Sequence, residues 1–222
     1  MAKGVARFAR EVHGVDLMHM FGQVEARFER MFGPGNPYPL VTLRQVRADE
    51  PLPYDDGTFD AVYAWSVFEH VADVPSALGE IHRVLRPGGA FFLQIEPLYF
   101  SPHGGHLWHI LDEPWIHLKL GREELVERIR QASLGEDTEE ARKDLFQGMS
   151  PDEYRCAVID HCLPTLNRIT VRELTTHVRN NGFTILNHQT MQNCPYEVPA
   201  DLLELYPRDD LVTNEVRMSM TR

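Results

Sequence analysis

The stretch from Leu52 to Leu93, LPYDDGTFDAVYAWSVFEHVADVPSALGEIHRVLRPGGAFFL, constrains the fold more than any other part of the chain. DDGT is a turn signal, and the apolar run Phe59–Trp65 behind it reads as a strand. VPSALGEIHRVL then places Val74, Leu78, Ile81 and Leu85 on one helical stripe. RPGG stops that helix, and AFFLQIE follows as an apolar strand without alternation until its end. Such a strand is expected to be covered on both faces. Strand, helix and strand of these lengths imply parallel neighbours joined by a right-handed crossover.

The flanks extend the pattern. Residues 3–11 are expected to be helical, and EVHGVDL reads as a short buried strand ending at Asp16. FGQVEARFERMF has Phe21, Val24, Phe28, Met31 and Phe32 at helical spacing. GPGNPYP is a loop, and LVTLRQVRA alternates as a strand around Leu43 and Val46. Residues 101–165 break the rhythm with a histidine-rich segment and helical stretches such as REELVERIRQA and DEYRCAVIDHCL. They are read as an inserted cap or lid. VRELTTHVRNNGFTILNHQTM returns to helix, Asn-Gly turn and strand, and NEVRMSMTR alternates as the last strand. The expected organisation is an α/β core from residues 1–100 and 166–222, with a helical cap over 101–165.

Composition narrows the function classes. The chain has 222 residues, 43% apolar and 25% charged, which is ordinary for a domain with a real core. A net charge of −11 argues against sequence-independent binding to nucleic acid or to an anionic membrane. Cys156, Cys162 and Cys194 form no CxxC pair, which fits a reducing compartment. No apolar run reaches membrane-spanning length, and MAKGVARFAREV has no long apolar signal region. The expected location is the cytoplasm.

Residues 52–93 closely resemble the core of the methyltransferase type 11 family, whose members typically read LPF, D, G, FD, VLEH, AL, E and RVLKPGG in this order. The resemblance covers roughly residues 4–100 and 168–222. It implies a Rossmann-like class I methyltransferase sheet, mostly parallel and flanked by helices, with S-adenosyl-L-methionine as cofactor. Ligands of such sheets sit outside the carboxyl ends of the strands, which points to the loops after Leu17, Ala48, Ala64 and Glu96.

The resemblance also implies roles residue by residue. Gly4 stands where the last glycine of the family's DxGxGxG loop falls, a place where only glycine lets backbone approach the cofactor closely. Asp16, with Leu17 beside it, matches the acid that holds the ribose hydroxyls; a carboxylate can accept from both. Asp49 lies near the acid that accepts from the adenine amino group. The spacing to LPY is one residue off the usual pattern, so Glu50 shares that assignment. Trp65 and Ser66 follow the family's fourth strand and line the methionine end. Plain readings stand beside these: Asp16 as a helix N-cap, Asp49 as a turn acid before Pro51, and Glu69 and His70 as structural residues.

In the family, the first strand supplies the DxGxG sequence and lies mid-sheet. This chain opens at MAKGV, past that point, so the first strand is expected to be missing. Its loss would leave buried backbone groups unpaired at about 1–3 kcal/mol each. A truncated start, a strand from another chain and a sheet that has closed the gap all answer that expectation. An exposed gap would favour strand exchange and a homodimer.

PLYFSPHGGHLWHILDEPWIHL follows the family's fifth strand and carries His103, His106, His109 and His117 among Trp108, Trp115 and Tyr99. A histidine there could take a proton from an acceptor nucleophile, and His103 and His106 are the catalytic candidates. A metal reading uses His103 and His106 with Glu96 or Asp112, although HGGH is not a zinc signature and no metal is assigned. Gly-Gly itself predicts a flexible lid loop whose histidines are solvated or hydrogen-bonded to backbone. Cys156, His161 and Cys162 share no clean helix face and are read as core or surface residues. The leading expectation is methyl transfer to a small-molecule acceptor by in-line displacement. The alternatives are a partner-binding module without cofactor and a metal-dependent enzyme using the His103–His117 segment.

Overall fold

The computed structural model describes residues 9–17, 41–134 and 149–222. Gly4, the expected FGQVEARFERMF helix and most of the expected first helix lie outside the described residues. The chain divides into two compact units, residues 1–55 and 56–222.

In the first unit β1 (Val12–Asp16) pairs in parallel with β2 (Val41–Gln45), Val12 opposite Val41 and Asp16 opposite Gln45. The pair is locked at its end. Val46 N–H donates to the Asp16 carbonyl at 2.9 Å, and the Gln45 amide donates to the Leu17 carbonyl at 2.9 Å. Tyr54 packs edge-on against His13, ring centroids 5.2 Å apart, and beneath the Arg44 guanidinium at 5.4 Å.

The second unit is built on a four-stranded mixed sheet. β3 (Phe59–Trp65) leads through the helical turn Phe68–His70 into α1 (Val74–Val84), and the chain returns as β4 (Leu85–Ile95), parallel to β3. The expected turn is present: Gly57 takes φ +67°, and its N–H donates to the Arg83 carbonyl at 2.9 Å. α1 starts where Asp73 accepts from Ser76 N–H at 3.0 Å, with Pro75 in its first turn.

After β4 come α2 (Ile116–Lys119), α3 (Arg122–Gln131) and α4 (Pro151–Ala157). α4 opens with a reciprocal Ser150–Glu153 capping box and runs on as a wider helical turn, Val158–Cys162, and a last turn at Leu163–Thr165. α5 (Val171–Asn180), capped in the same way by Thr170 and Glu173, leads through Gly182 at φ +85° into β5 (Thr184–Met191). α6 (Ala200–Leu205) and α7 (Arg208–Val212) precede β6 (Glu215–Thr221). β6 inserts between β4 and β5, antiparallel to both, giving the order β3-β4-β6-β5.

Three apolar clusters hold this unit. Val74, Leu78 and Ile81 of α1 and Leu174 and Val178 of α5 pack on Phe91, Leu93, Ile95, Val216, Met218 and Met220. Residues 107–159 make a second cluster from Leu107, Ile110, Ile116, Leu125, Ile129, Tyr154, Val158 and Ile159. Trp115 anchors the third with Val198, Leu202, Leu211 and Val212, and its indole N–H donates to the Leu211 carbonyl at 3.2 Å.

Two expectations change. Phe92, on the β4 face opposite Phe91 and Leu93, is 51% exposed, so the apolar run of β4 is not covered on both faces. The HGGH segment is a packed turn rather than a flexible loop. Gly104 and Gly105 are buried, and an added Cβ would stand 2.0 Å from the Tyr99 carbonyl oxygen at Gly104 and 2.7 Å from His117 Cβ at Gly105. The glycines are there for close approach, not for mobility. No helix among the described residues is long and apolar enough to cross a membrane.

Candidate functional site

The carboxyl ends of β3 and β4 carry a connected polar network. Ser66, the residue after β3, takes the left-handed φ of +49°, which a side chain adopts only when its surroundings hold it there. Gln94 supplies that hold. Its backbone carbonyl accepts from Ser66 N–H at 3.1 Å, and its Oε1 accepts from the same N–H at 3.0 Å and from the Ser66 hydroxyl at 3.1 Å. Gln94 is only 1% exposed, so its amide must also donate, and Nε2 donates to Glu96 and Glu215, each at 3.1 Å. Arg217 closes the network by donating to Glu215 at 2.5 Å while lying 5.7 Å from the Trp65 ring centroid. Trp65 itself is 48% exposed. Ser66 is thus held by a buried partner, and Trp65 lies beside Arg217 with an aromatic face open to solvent.

In the first unit Asp16 is exposed at the carboxyl end of β1, where a strand-end ligand acid belongs, and Leu17 beside it is exposed as well. Asp49 and Glu50 are both held by Arg47, at 3.2 and 3.1 Å respectively. The ambiguity between these two acids therefore persists at the level of geometry.

Just beyond Ser66 lies a second, enclosed group. The turn Phe68–His70 is fixed by Asn167, whose side-chain amide donates to the Phe68 and Val71 carbonyls and whose N–H donates to the Glu69 carbonyl at 2.9 Å. This turn presents Glu69 and His70 toward His106 of the HGGH turn; one ligand atom from each of the three falls within 4.8 Å of the others. The His70 and His106 ring centroids are 5.1 Å apart. His106 is itself at φ +56°.

Burial governs the protonation of this group. It pushes the Glu69 carboxyl up to about 7, against its own backbone N–H and with help from the Glu96 charge. It pushes His106 down to about 4, helped by His70 and His117 and opposed by a hydrogen bond to the Pro97 carbonyl. His70 is lowered by burial too. His117, whose Nε2–H donates to the Tyr99 carbonyl at 2.6 Å, falls to about 4 because desolvation outweighs that bond, with His103 and Arg168 adding repulsion.

Of the two catalytic candidates, His103 is half-buried, with its Nε2 3.3 Å from the Tyr196 hydroxyl and its ring against Trp108 and Tyr196. His106 is drawn inward to Glu69 and His70. The metal set drawn from the sequence joined His103 and His106 to Glu96 or Asp112. The grouping in the structure retains only His106 and adds two residues read as structural. Their signal was the Glu-His pair directly after a strand, in a loop that the strand-end rule already marks.

Residues 1–93 match the model of the methyltransferase domain family. The chain is 40% identical over 82 residues to a demethylmenaquinone methyltransferase of Symbiobacterium thermophilum, covering 36% of this chain and 31% of that protein. It is 35% identical over 89 residues to a ubiquinone biosynthesis O-methyltransferase of Alkalilimnicola ehrlichii, covering 40% and 34%. The chain therefore spans about a third of the length of these curated relatives. Among solved structures, a putative methyltransferase from Bacillus halodurans superposes with a TM-score of 0.53 at 16% identity, over 99% of this chain and 86% of that one. An S-adenosylmethionine-dependent methyltransferase from Mesorhizobium loti gives 0.51 at 19% identity, over 96% and 81%.

Proposed function

From the family match of residues 1–93 and the fold shared with solved methyltransferases, we propose that the chain is a class I methyltransferase that transfers a methyl group from S-adenosyl-L-methionine to a small-molecule acceptor. The observation that carries the reading is the family match across the strand that ends in Trp65 and Ser66, together with the network that fixes Ser66. The family resemblance assigns the cofactor contacts residue by residue. Asp16 is an exposed carboxylate at a strand end and takes the ribose hydroxyls; Asp49 or Glu50 takes the adenine amino group; Trp65 and Ser66 take the methionine end. Gly4 completes this set on the resemblance alone.

The cofactor supplies an electrophilic methyl group on a sulfonium. The chain's part is to align an acceptor atom with it and to exclude water. As the acceptor–carbon bond forms, the carbon–sulfur bond breaks and its electron pair stays on sulfur. A proton on the acceptor oxygen or nitrogen passes to a base, and His103, beside the Tyr196 hydroxyl, is the acceptor-side residue of choice. His106 is enclosed and less suited to meet an acceptor directly. Two curated relatives carry the names of menaquinone and ubiquinone biosynthesis, which supports an acceptor of small-molecule size.

Calorimetric titration with S-adenosylhomocysteine tests the reading. Saturable one-to-one binding is expected. Folded protein that shows no heat at millimolar ligand would sink it.

A further inference from the structure

We propose that Glu69, His70 and His106 form a binding site for a divalent first-row transition-metal ion. This goes beyond the methyl-transfer reading and does not depend on it.

The case rests on three ligand atoms and on what holds the far side of the His70 ring. His70 Nδ1 lies 2.9 Å from the Thr165 hydroxyl. That hydroxyl faces the His161 and Cys162 carbonyls at 3.0 and 2.8 Å, so its proton is committed to a carbonyl and its oxygen accepts from His70 Nδ1–H. This fixes the tautomer and leaves the His70 Nε2 lone pair unused. His106 offers its Nε2, which is buried without a hydrogen-bond partner. Glu69 is 4% exposed, and its Oε2 is likewise buried without one.

A histidine that donates its far N–H to a protein oxygen while offering the other nitrogen, as His70 does, is arranged as a metal ligand is. Leaving Glu69 Oε2 and His106 Nε2 buried and unsatisfied would cost about 1–3 kcal/mol apiece, and a single cation held with His70 satisfies both. Two imidazoles and one carboxylate suit zinc, iron(II), cobalt(II) or manganese(II) better than calcium or magnesium, which prefer oxygen donors. Bonds of about 2.1 Å would draw the three ligand atoms in from their present spread and leave coordination positions for water or a ligand oxygen. The supports are stiff: Asn167 pins the turn bearing Glu69 and His70, and the packed glycines at 104 and 105 pin His106.

The test is titration of the chelator-treated protein with Co²⁺, read by its visible absorption, followed by displacement with Zn²⁺. One equivalent per chain is expected, with a rise in unfolding temperature on Zn²⁺ addition. Glu69→Gln and His70→Ala should each weaken binding by about tenfold or more. His188→Ala, at an exposed strand position, should bind as the parent does. His106→Ala disturbs a packed turn, so the two other variants decide. Failure of the parent to take up Co²⁺, as for a cavity that holds only water, would overturn the proposal. So would uptake that Glu69→Gln and His70→Ala leave unchanged.

Discussion

Gln94 grips Ser66 twice over, with its backbone carbonyl at 3.1 Å and its side-chain oxygen at 3.0 Å from the same N–H, and adds the Ser66 hydroxyl at 3.1 Å. The same side chain donates to Glu96 and Glu215. One buried amide therefore couples the left-handed turn after β3 to the end of β4 and the start of β6. The residues that the family resemblance assigns to the methionine end of the cofactor owe their positions to it.

Replacing Gln94 by Leu keeps the volume and removes every one of those side-chain bonds. Ser66 and the buried Glu215 then lose partners in a site closed to water. The expected cost is about 2–4 kcal/mol in urea unfolding, against about 1 kcal/mol for Ser66→Ala. Equal costs for the two variants would show that the amide does not hold the network.

Much of this architecture is legible in the residues themselves. Phe59–Trp65, Val74–Val84 and the AFFLQI part of β4 emerge as strand, helix and strand because period and punctuation are local properties, whereas Leu85 and the RPGG expected to follow the helix as its stop already belong to β4. The Gly104–Gly105 packing was not legible, because Gly-Gly reads identically whether a loop is free or crossed at close range by another backbone. The partnership of Glu69 and His70 with His106 was hidden for a related reason. It depends on Asn167 and Thr165, far along the chain, which set the turn and the His70 tautomer. Phe92 looked like a residue buried on both sides because apolar runs report hydrophobicity, not which face a helix covers.

Gly104→Ala should be among the most damaging small substitutions. Its Cβ would meet the Tyr99 and Leu98 carbonyl oxygens at 2.0 and 2.3 Å, both backbone atoms that cannot rotate away. A loss of more than about 3 kcal/mol, or failure to accumulate as folded protein, is expected. Gly121→Ala, with nothing within 4 Å of the added carbon, should stay within about 1 kcal/mol. Thermal unfolding of the pair checks the contrast.

On the proposed activity, Asp16→Ala should weaken S-adenosylhomocysteine binding by about 10–100-fold, the range for losing charge-assisted bonds to two hydroxyls. Asp49→Ala and Glu50→Ala resolve the remaining ambiguity, since only the one that meets the adenine amino group should raise the dissociation constant by about tenfold. Calorimetry on variants shown to be folded by circular dichroism reads both. Unchanged affinity in Asp16→Ala would remove that residue from the cofactor set.

Acid should destabilise the second unit through His117. In the folded chain its imidazole is held down to about 4 by burial, with His103 and Arg168 adding repulsion. In the unfolded chain it returns to the ordinary value near 6.5. Between those two values the unfolded state binds a proton that the folded state refuses. The contribution is therefore fully present above pH 6.5 and is lost as the pH falls toward 4, up to about 3 kcal/mol. His106, also held near 4, titrates in the same window, and Glu69, held up to about 7, contributes with the opposite sign, so the parent's slope is a sum. His117→Gln isolates the His117 share, because a glutamine amide can still donate to the Tyr99 carbonyl but binds no proton. Urea midpoints measured from pH 7 to pH 4 should fall less steeply in His117→Gln than in the parent. Parallel curves would mean that His117 is protonated as readily folded as unfolded.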